Sequence, residues 1–159
     1  MGMKEQSTIS TVLESEHRWI DERFQRFRQH LSEGQVDAAL FEEAAKVLHR
    51  HIYLEEEIVF SELEARGMQG PPDVMAQEHG EICRFLNRIL ELVHGNTSPG
   101  QVQGVFNALV SLLEEHNFKE EKILYPAADR LLDSSQVVRQ MEKESPPSGW
   151  VCRAHRSGE

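Results

Sequence analysis

Apolar residues return at steps of three, four or seven in four successive blocks of the chain, the spacing of amphipathic helices. The first block carries Ile9, Leu13, Ile20, Phe24, Phe27 and Leu31. Ser7 or Ser10 is placed to cap its start, and Gly34 follows its end. The second covers residues 36–66, with Leu48 and Ile58 among its apolar positions, and Gly67, Gly70, Pro71 and Pro72 break the chain after it. The third begins near Pro72, carries Met75, Ile82, Leu86, Ile89 and Val93, and stops at Gly95 and Asn96. The fourth opens on Ser98–Pro99, a capping residue followed by a proline suited to the first helical position. It carries Val105, Leu109, Leu112, Ile123, Ala127 and Leu131. No stretch alternates as a strand does, and short connections make successive helices antiparallel neighbours. The pattern predicts an all-α fold, an antiparallel up-down-up-down four-helix bundle over residues 1–133. A C-terminal extension, 134–159, follows, with a short helix over 135–143 and a loose terminus beyond Pro146–Pro147.

Each apolar stripe has a gap, and a polar residue fills it. His17 lies between Leu13 and Ile20, and His51 and Glu55 lie between Leu48 and Ile58. His79 lies between Met75 and Ile82, and His116 and Glu120 between Leu112 and Ile123. The periodicity that defines the core points all six inward. An unpartnered buried polar group costs roughly 2–7 kcal/mol, and an unpaired charge far more. Six of them would exceed a typical net stability of ~5–15 kcal/mol. They must satisfy one another or share positive charge, and two divalent or trivalent metal ions would supply it. The heights agree: at ~1.5 Å per residue, His17 and His51 both lie about 25 Å from the turn near Gly34.

Composition narrows the class. One domain fits 159 residues, and 39% apolar with 28% charged residues describes a globular chain. A formal net charge of −10 opposes binding to nucleic acid or to anionic membranes. No apolar run approaches the ~18 residues of a membrane span. Residues 1–10 lack a basic-then-apolar leader pattern. Cys83 and Cys152 form no CxxC motif and no disulfide framework. A cytoplasmic location is the expectation. The eight histidines stand out, because imidazole is the commonest protein metal ligand.

The site residues also repeat. His51-Ile-Tyr-Leu-Glu55-Glu56-Glu-Ile58-Val-Phe60 parallels His116-Asn-Phe-Lys-Glu120-Glu121-Lys-Ile123-Leu-Tyr125, and Glu16–His17 parallels Glu78–His79. The chain reads as two helical hairpins, each supplying one histidine and one His-x-x-x-Glu pair. Residues four apart on a helix share a face and can reach one cluster.

This ordered set resembles the hemerythrin-like, or HHE cation-binding, domains over roughly residues 10–130. The resemblance implies a non-haem di-iron centre, two iron ions with an oxo or hydroxo bridge, with zinc or manganese as the alternatives. By that analogy His17 and His51 hold one iron, His79 and His116 the other, and Glu55 and Glu120 bridge them. Oxygen-carrying members usually show two histidines four apart on the third helix, where this chain has Cys83. They also tend to place an aspartate five residues after the last histidine, where Glu121 stands here, one past Glu120. The set is closer to bacterial iron–sulfur repair proteins and to iron-sensing domains. A site with fewer protein ligands leaves positions open for oxygen, nitric oxide or peroxide. The reading is a binding or sensing protein in stress response or iron homeostasis, served by a redox partner. The alternatives are a di-iron enzyme of peroxidase or nitric oxide reductase type and an iron donor for cluster repair.

The neighbours of these residues are read as follows. Glu56 and Glu121 flank or support the ligands, and become ligands themselves only if a helix is rotated. Glu16 and Glu78 belong to solvated faces ahead of any role in orienting histidines. Tyr53, Phe118 and Tyr125 pack around the site. Cys83 is a small core residue first and a thiol near the metal second. His30 and His49 are surface residues, His94 sits near a helix end, and Cys152 and His155 lie in the tail.

Overall fold

A computed structural model describes residues 7–156. Those residues form helices and connecting turns, with no strand among them. Helix α1 (Ile9–Ser32) starts at Thr8, whose side chain accepts from the Thr11 N–H while the Thr11 hydroxyl accepts from the Thr8 N–H. Its inward stripe includes Leu13, His17, Ile20, Phe24 and Phe27. Gly34, at φ 84°, makes the turn that follows, a conformation in which a side chain would be strained. Asp37 caps α2 (Ala38–Leu54), which runs on through a π-helical stretch (Glu55–Phe60) into α3 (Ser61–Ala65). Gly67, at φ 92°, then turns the chain into α4 (Gly70–His94). Ser98 and Gln101 form a capping box at the start of α5 (Pro99–Lys119). This helix passes through a second π-helical stretch (Glu120–Leu124) into α6 (Tyr125–Leu131). The short helices α7 (Ser134–Lys143) and α8 (Arg153–Arg156) complete the described residues.

Helix α1 packs on α2, α5 and α6, and α4 packs on α2 and α5, so four long rods surround one interior. The apolar core falls into two clusters. One is built on Phe24, Phe27, Phe41 and Phe106, whose rings pack at 5.0–6.4 Å. The other is built on Leu13, Leu54, Phe60, Leu63 and Tyr125. Along each rod the polar residues fall where one cluster gives way to the other: Leu13 and Ile20 bracket His17, and Met75 and Ile82 bracket His79. Among the described residues no helix is long and apolar enough to cross a membrane.

The fourth block departs from its expected register. The buried positions of α5 are Val102, Phe106, Leu109 and Leu113, whereas Val105 and Leu112 are only half-buried. Ile123 and Leu131, expected in the core, are exposed, at 55% and 40%. The π-helical stretch is the cause of the first: a wider turn rotates the face, so Leu124 and Tyr125 point inward and Ile123 points out.

The short helix expected over 135–143 is present as α7, but the terminus expected to be loose after Pro146–Pro147 is packed. Helix α7 buries Val137, Val138 and Met141. Arg50 ties its end down by donating to the Met141 carbonyl at 2.7 Å and the Glu144 carbonyl at 3.0 Å. Beyond it the chain returns across α2 and α4, and Cys152 is buried.

Candidate metal centre

All six inward-pointing residues meet. His17, His51, Glu55, His79, His116 and Glu120 are each at most 3% exposed. They fall into two groups of four, each with its donor atoms within 4.8 Å of one another: His17, His51, Glu55 and Glu120, and Glu55, His79, His116 and Glu120. Both glutamates belong to both groups. Glu55 reaches His51 Nε2 with Oε2 at 3.2 Å and His79 Nε2 with Oε1 at 3.0 Å. Glu120 reaches His17 Nε2 with Oε1 at 3.3 Å and His116 Nε2 with Oε2 at 3.0 Å. Each carboxylate therefore has one oxygen on each half. The π-helical stretches begin at these two glutamates, so the widened turn occurs at the same point of both repeats.

A second set of carboxylates fixes the imidazoles. His17 Nδ1 lies 2.8 Å from Glu121, His51 Nδ1 2.6 Å from Glu16, His79 Nδ1 2.8 Å from Glu56, and His116 Nδ1 2.8 Å from Glu78. In every case the carboxylate comes from a different rod. Glu56 and Glu121 are thus supports for histidines. Glu16 and Glu78 do the same, instead of lying idle on solvated faces. A ring that keeps Nδ1–H toward its carboxylate and gives up the second proton turns the Nε2 lone pair to the centre, the tautomer a metal needs.

The aromatic neighbours split. Phe118 is 62% exposed and takes no part. Tyr53 is buried away from the centre and donates to Glu144 at 2.8 Å. Tyr125 enters the centre itself. Its hydroxyl donates to Glu55, and lies 3.0 Å from Glu120 Oε1, 3.0 Å from His17 Nε2 and 3.3 Å from His51 Nε2. On the other half the repeat places Phe60, whose ring stacks on His79 at 5.6 Å and 8°. The two halves therefore share their histidines and glutamates in kind but differ by one phenolic oxygen. The sequence carried that signal in the alignment of Phe60 with Tyr125.

The electrostatics call for cations. Burial alone would depress the imidazoles, but Glu55 and Glu16 override it and raise His51 to about 10. His79 and His116 rise for the same reason, against the same burial penalty. Burial pushes Glu55 and Glu120 upward, yet the surrounding histidines hold both below the usual carboxylate range. Burial and then the two carboxylates raise the Tyr125 hydroxyl, keeping it a phenol. Glu55 Oε1, His79 Nε2 and Glu120 Oε2 are buried without a hydrogen-bond partner. The 3.0 Å approach of His79 Nε2 to Glu55 Oε1 is an ion pair only if the ring is doubly protonated. With Nδ1–H committed to Glu56, it otherwise sets lone pair against lone pair. A cation between them resolves this, and imidazole with carboxylate is a donor set suited to first-row transition metals.

An all-helical chain whose interior carries paired His/Glu groups able to hold metal belongs among helical cation-binding proteins. A profile of the hemerythrin HHE cation binding domain matches residues 8–144. The chain belongs to that family. Comparison with curated proteins and with solved structures finds none that matches at a significant level.

Proposed function

We propose that this protein is a non-haem di-iron protein that binds or senses oxygen, nitric oxide or peroxide in the cytoplasm, in stress response or iron homeostasis. The long rods then form an antiparallel up-down-up-down bundle around the metal pair. His17 and His51 would hold one iron, His79 and His116 the other, and Glu55 and Glu120 would bridge. The observation that carries the reading is the sharing of both glutamates between two four-residue groups. Two separate sites would not need it. When bound, the iron pair supplies open coordination positions and electrons for a diatomic ligand or peroxide.

The chain's own residues do the rest. Glu16, Glu56, Glu78 and Glu121 hold the four imidazoles in one tautomer and orientation. Phe60 and the two apolar clusters keep bulk water from the centre. Tyr125 holds a proton at its hydroxyl oxygen, next to Glu55 and Glu120. That phenol favours one second reading, an enzyme of peroxidase or nitric oxide reductase type, because turnover needs a proton source beside the metals and a redox partner.

A steady-state assay with peroxide or nitric oxide and excess reductant tests the function. A sensor reacts once per site and stops, and an enzyme continues. An iron-loaded protein inert to oxygen, nitric oxide and peroxide would refute both.

A further inference from the structure

The C-terminal segment beyond the family match is held in place by specific contacts. Trp150 Nε1 donates to Glu57 at 2.9 Å, and its ring packs against His49 and Tyr53 at 5.3 and 5.2 Å. Arg153 donates its backbone N–H to Glu56 Oε1 at 2.7 Å and its guanidinium to Glu64 at 2.8 Å. His155 Nε2 lies 3.0 Å from the Gly80 carbonyl oxygen. Gly80 leaves the room for this approach, because a Cβ there would stand 2.7 Å from the Ala154 Cβ. Between these anchors Cys152 enters the same core cluster as Cys83, which sits on α4 one turn past His79. Both sulfurs are buried, and both residues line a cleft of about 470 Å³ with Lys46, His49, Leu86 and Trp150.

We propose that Cys83 and Cys152 are a reversible dithiol–disulfide pair, oxidised by peroxide, that latches the C-terminal segment onto α4. Two buried thiols line one cleft, one on a long helix and one on the segment that packs against that helix at Gly80. The roles divide between them. The Cys83 side chain lowers Cys152 to about 6, against the opposing effect of burial and with help from the His155 backbone N–H. Cys152, on the segment that the bond would tie down, takes the attacking role in the proposal. The Cys152 side chain, together with burial, raises Cys83, which keeps its proton.

The Cys152 thiolate attacks one oxygen of hydrogen peroxide. An S–O bond forms, the O–O bond breaks, and the leaving hydroxide takes a proton to become water. Cys83 sulfur then attacks the Cys152 sulfenic acid. The S–S bond forms, the S–O bond breaks, and a second water leaves with the Cys83 proton. Two thiols lose two electrons and two protons, and peroxide becomes two waters. A dithiol reductant reverses the reaction. In a reducing compartment such a bond is transient, as redox-sensing disulfides are.

The latch has a route to the metal centre. Glu56 takes the Arg153 N–H with one oxygen and the His79 Nδ1–H with the other. Fixing residue 152 fixes the donor at 153, and through Glu56 the ring of His79. The thiol chemistry itself does not depend on the metal reading.

The test uses the full chain as purified and again after stripping with a chelator. One equivalent of hydrogen peroxide is added, free thiols are counted, and peptides are mapped without reduction. Loss of both thiols, a cross-link within one chain between the Cys83 and Cys152 peptides, and recovery with dithiothreitol are expected in both preparations. Amide exchange at residues 150–156 slows in the oxidised form. In Cys83→Ser, Cys152 stops at a sulfenic acid that dimedone traps; in Cys152→Ser, Cys83 stays reduced. Survival of both thiols in the stripped protein, cross-links only between chains, or equal loss of Cys83 in Cys152→Ser would overturn the proposal. Success in the stripped protein with no metal bound in the other would leave the latch standing and remove the di-iron reading.

Discussion

The four carboxylates behind the histidines give a ranked prediction. Consider glutamine at each in turn, which keeps the volume and removes the charge. An amide presents one oxygen and one NH₂, so the outcome depends on how many donors the carboxylate serves. Glu56 serves two on different oxygens, the Arg153 N–H and the His79 Nδ1–H, and is completely buried. Glutamine there must turn its NH₂ toward one of them, with no water to intervene. Loss of such a support typically costs 10–100-fold in metal affinity. Glu56→Gln should fall at the upper end, about 100-fold, or about 2.8 kcal/mol. Glu78 also serves two donors, His116 and Lys119, but Lys119 is 40% exposed and can move into water. Glu16 serves His51 closely and Arg50 only at 3.7 Å. Both should lose about 10-fold. Glu121 serves His17 alone and is 38% exposed, so its amide can turn the oxygen to the ring, and less than about a threefold loss is expected. The assay is anaerobic competition for ferrous iron against a chromophoric chelator, with helicity checked by circular dichroism. Equal losses in all four variants, or the largest at Glu121, would refute the reasoning.

Three other outcomes follow from the same contacts. Tyr125→Phe removes the donor to Glu55 and Glu120. A hydrogen bond to a charged group contributes about 1.5–3 kcal/mol, so urea unfolding of the metal-free variant should show a loss in that range, and an unchanged midpoint would contradict it. Gly80→Ala forces the segment around Ala154 outward at a cost of about 1–3 kcal/mol. Limited proteolysis should then release the C-terminal peptide faster while the bundle stays folded. Stability of the metal-free protein should depend on pH in two directions. The raised histidines stabilise fully below 6.5, and His51 loses that contribution as pH rises toward about 10. The lowered Glu55 and Glu120 stabilise above 4.5 and lose it on acidification. The maximum should lie between those two values, and a urea midpoint that climbs from neutral pH into the alkaline range would refute this.

The gaps in the apolar stripes were enough to find six of the residues that meet at the centre, because periodicity reports which way a side chain faces. It does not report which helix stands opposite. Glu16 and Glu78 each lie one residue before an inward histidine, about 100° around the helix, at the boundary between core and solvent. Only the neighbouring rod decides that such a residue meets His51 or His116. The π-helical stretches were hidden for a different reason. The widened turn leaves no mark in composition, and it is present at both Ile58 and Ile123; the first is buried and the second exposed because α7 packs on the first stretch. The last segment has no helical apolar pattern, so it read as loose. It is anchored instead by individual contacts at Trp150, Cys152 and Arg153, which periodicity does not sense.

The most direct test of the metal assignment is iron content with a visible spectrum, on protein loaded anaerobically with ferrous iron and then exposed to air. Two irons per chain are expected, with ferric absorption that His116→Ala abolishes. No bound iron, or a single site that survives that substitution, would contradict the account.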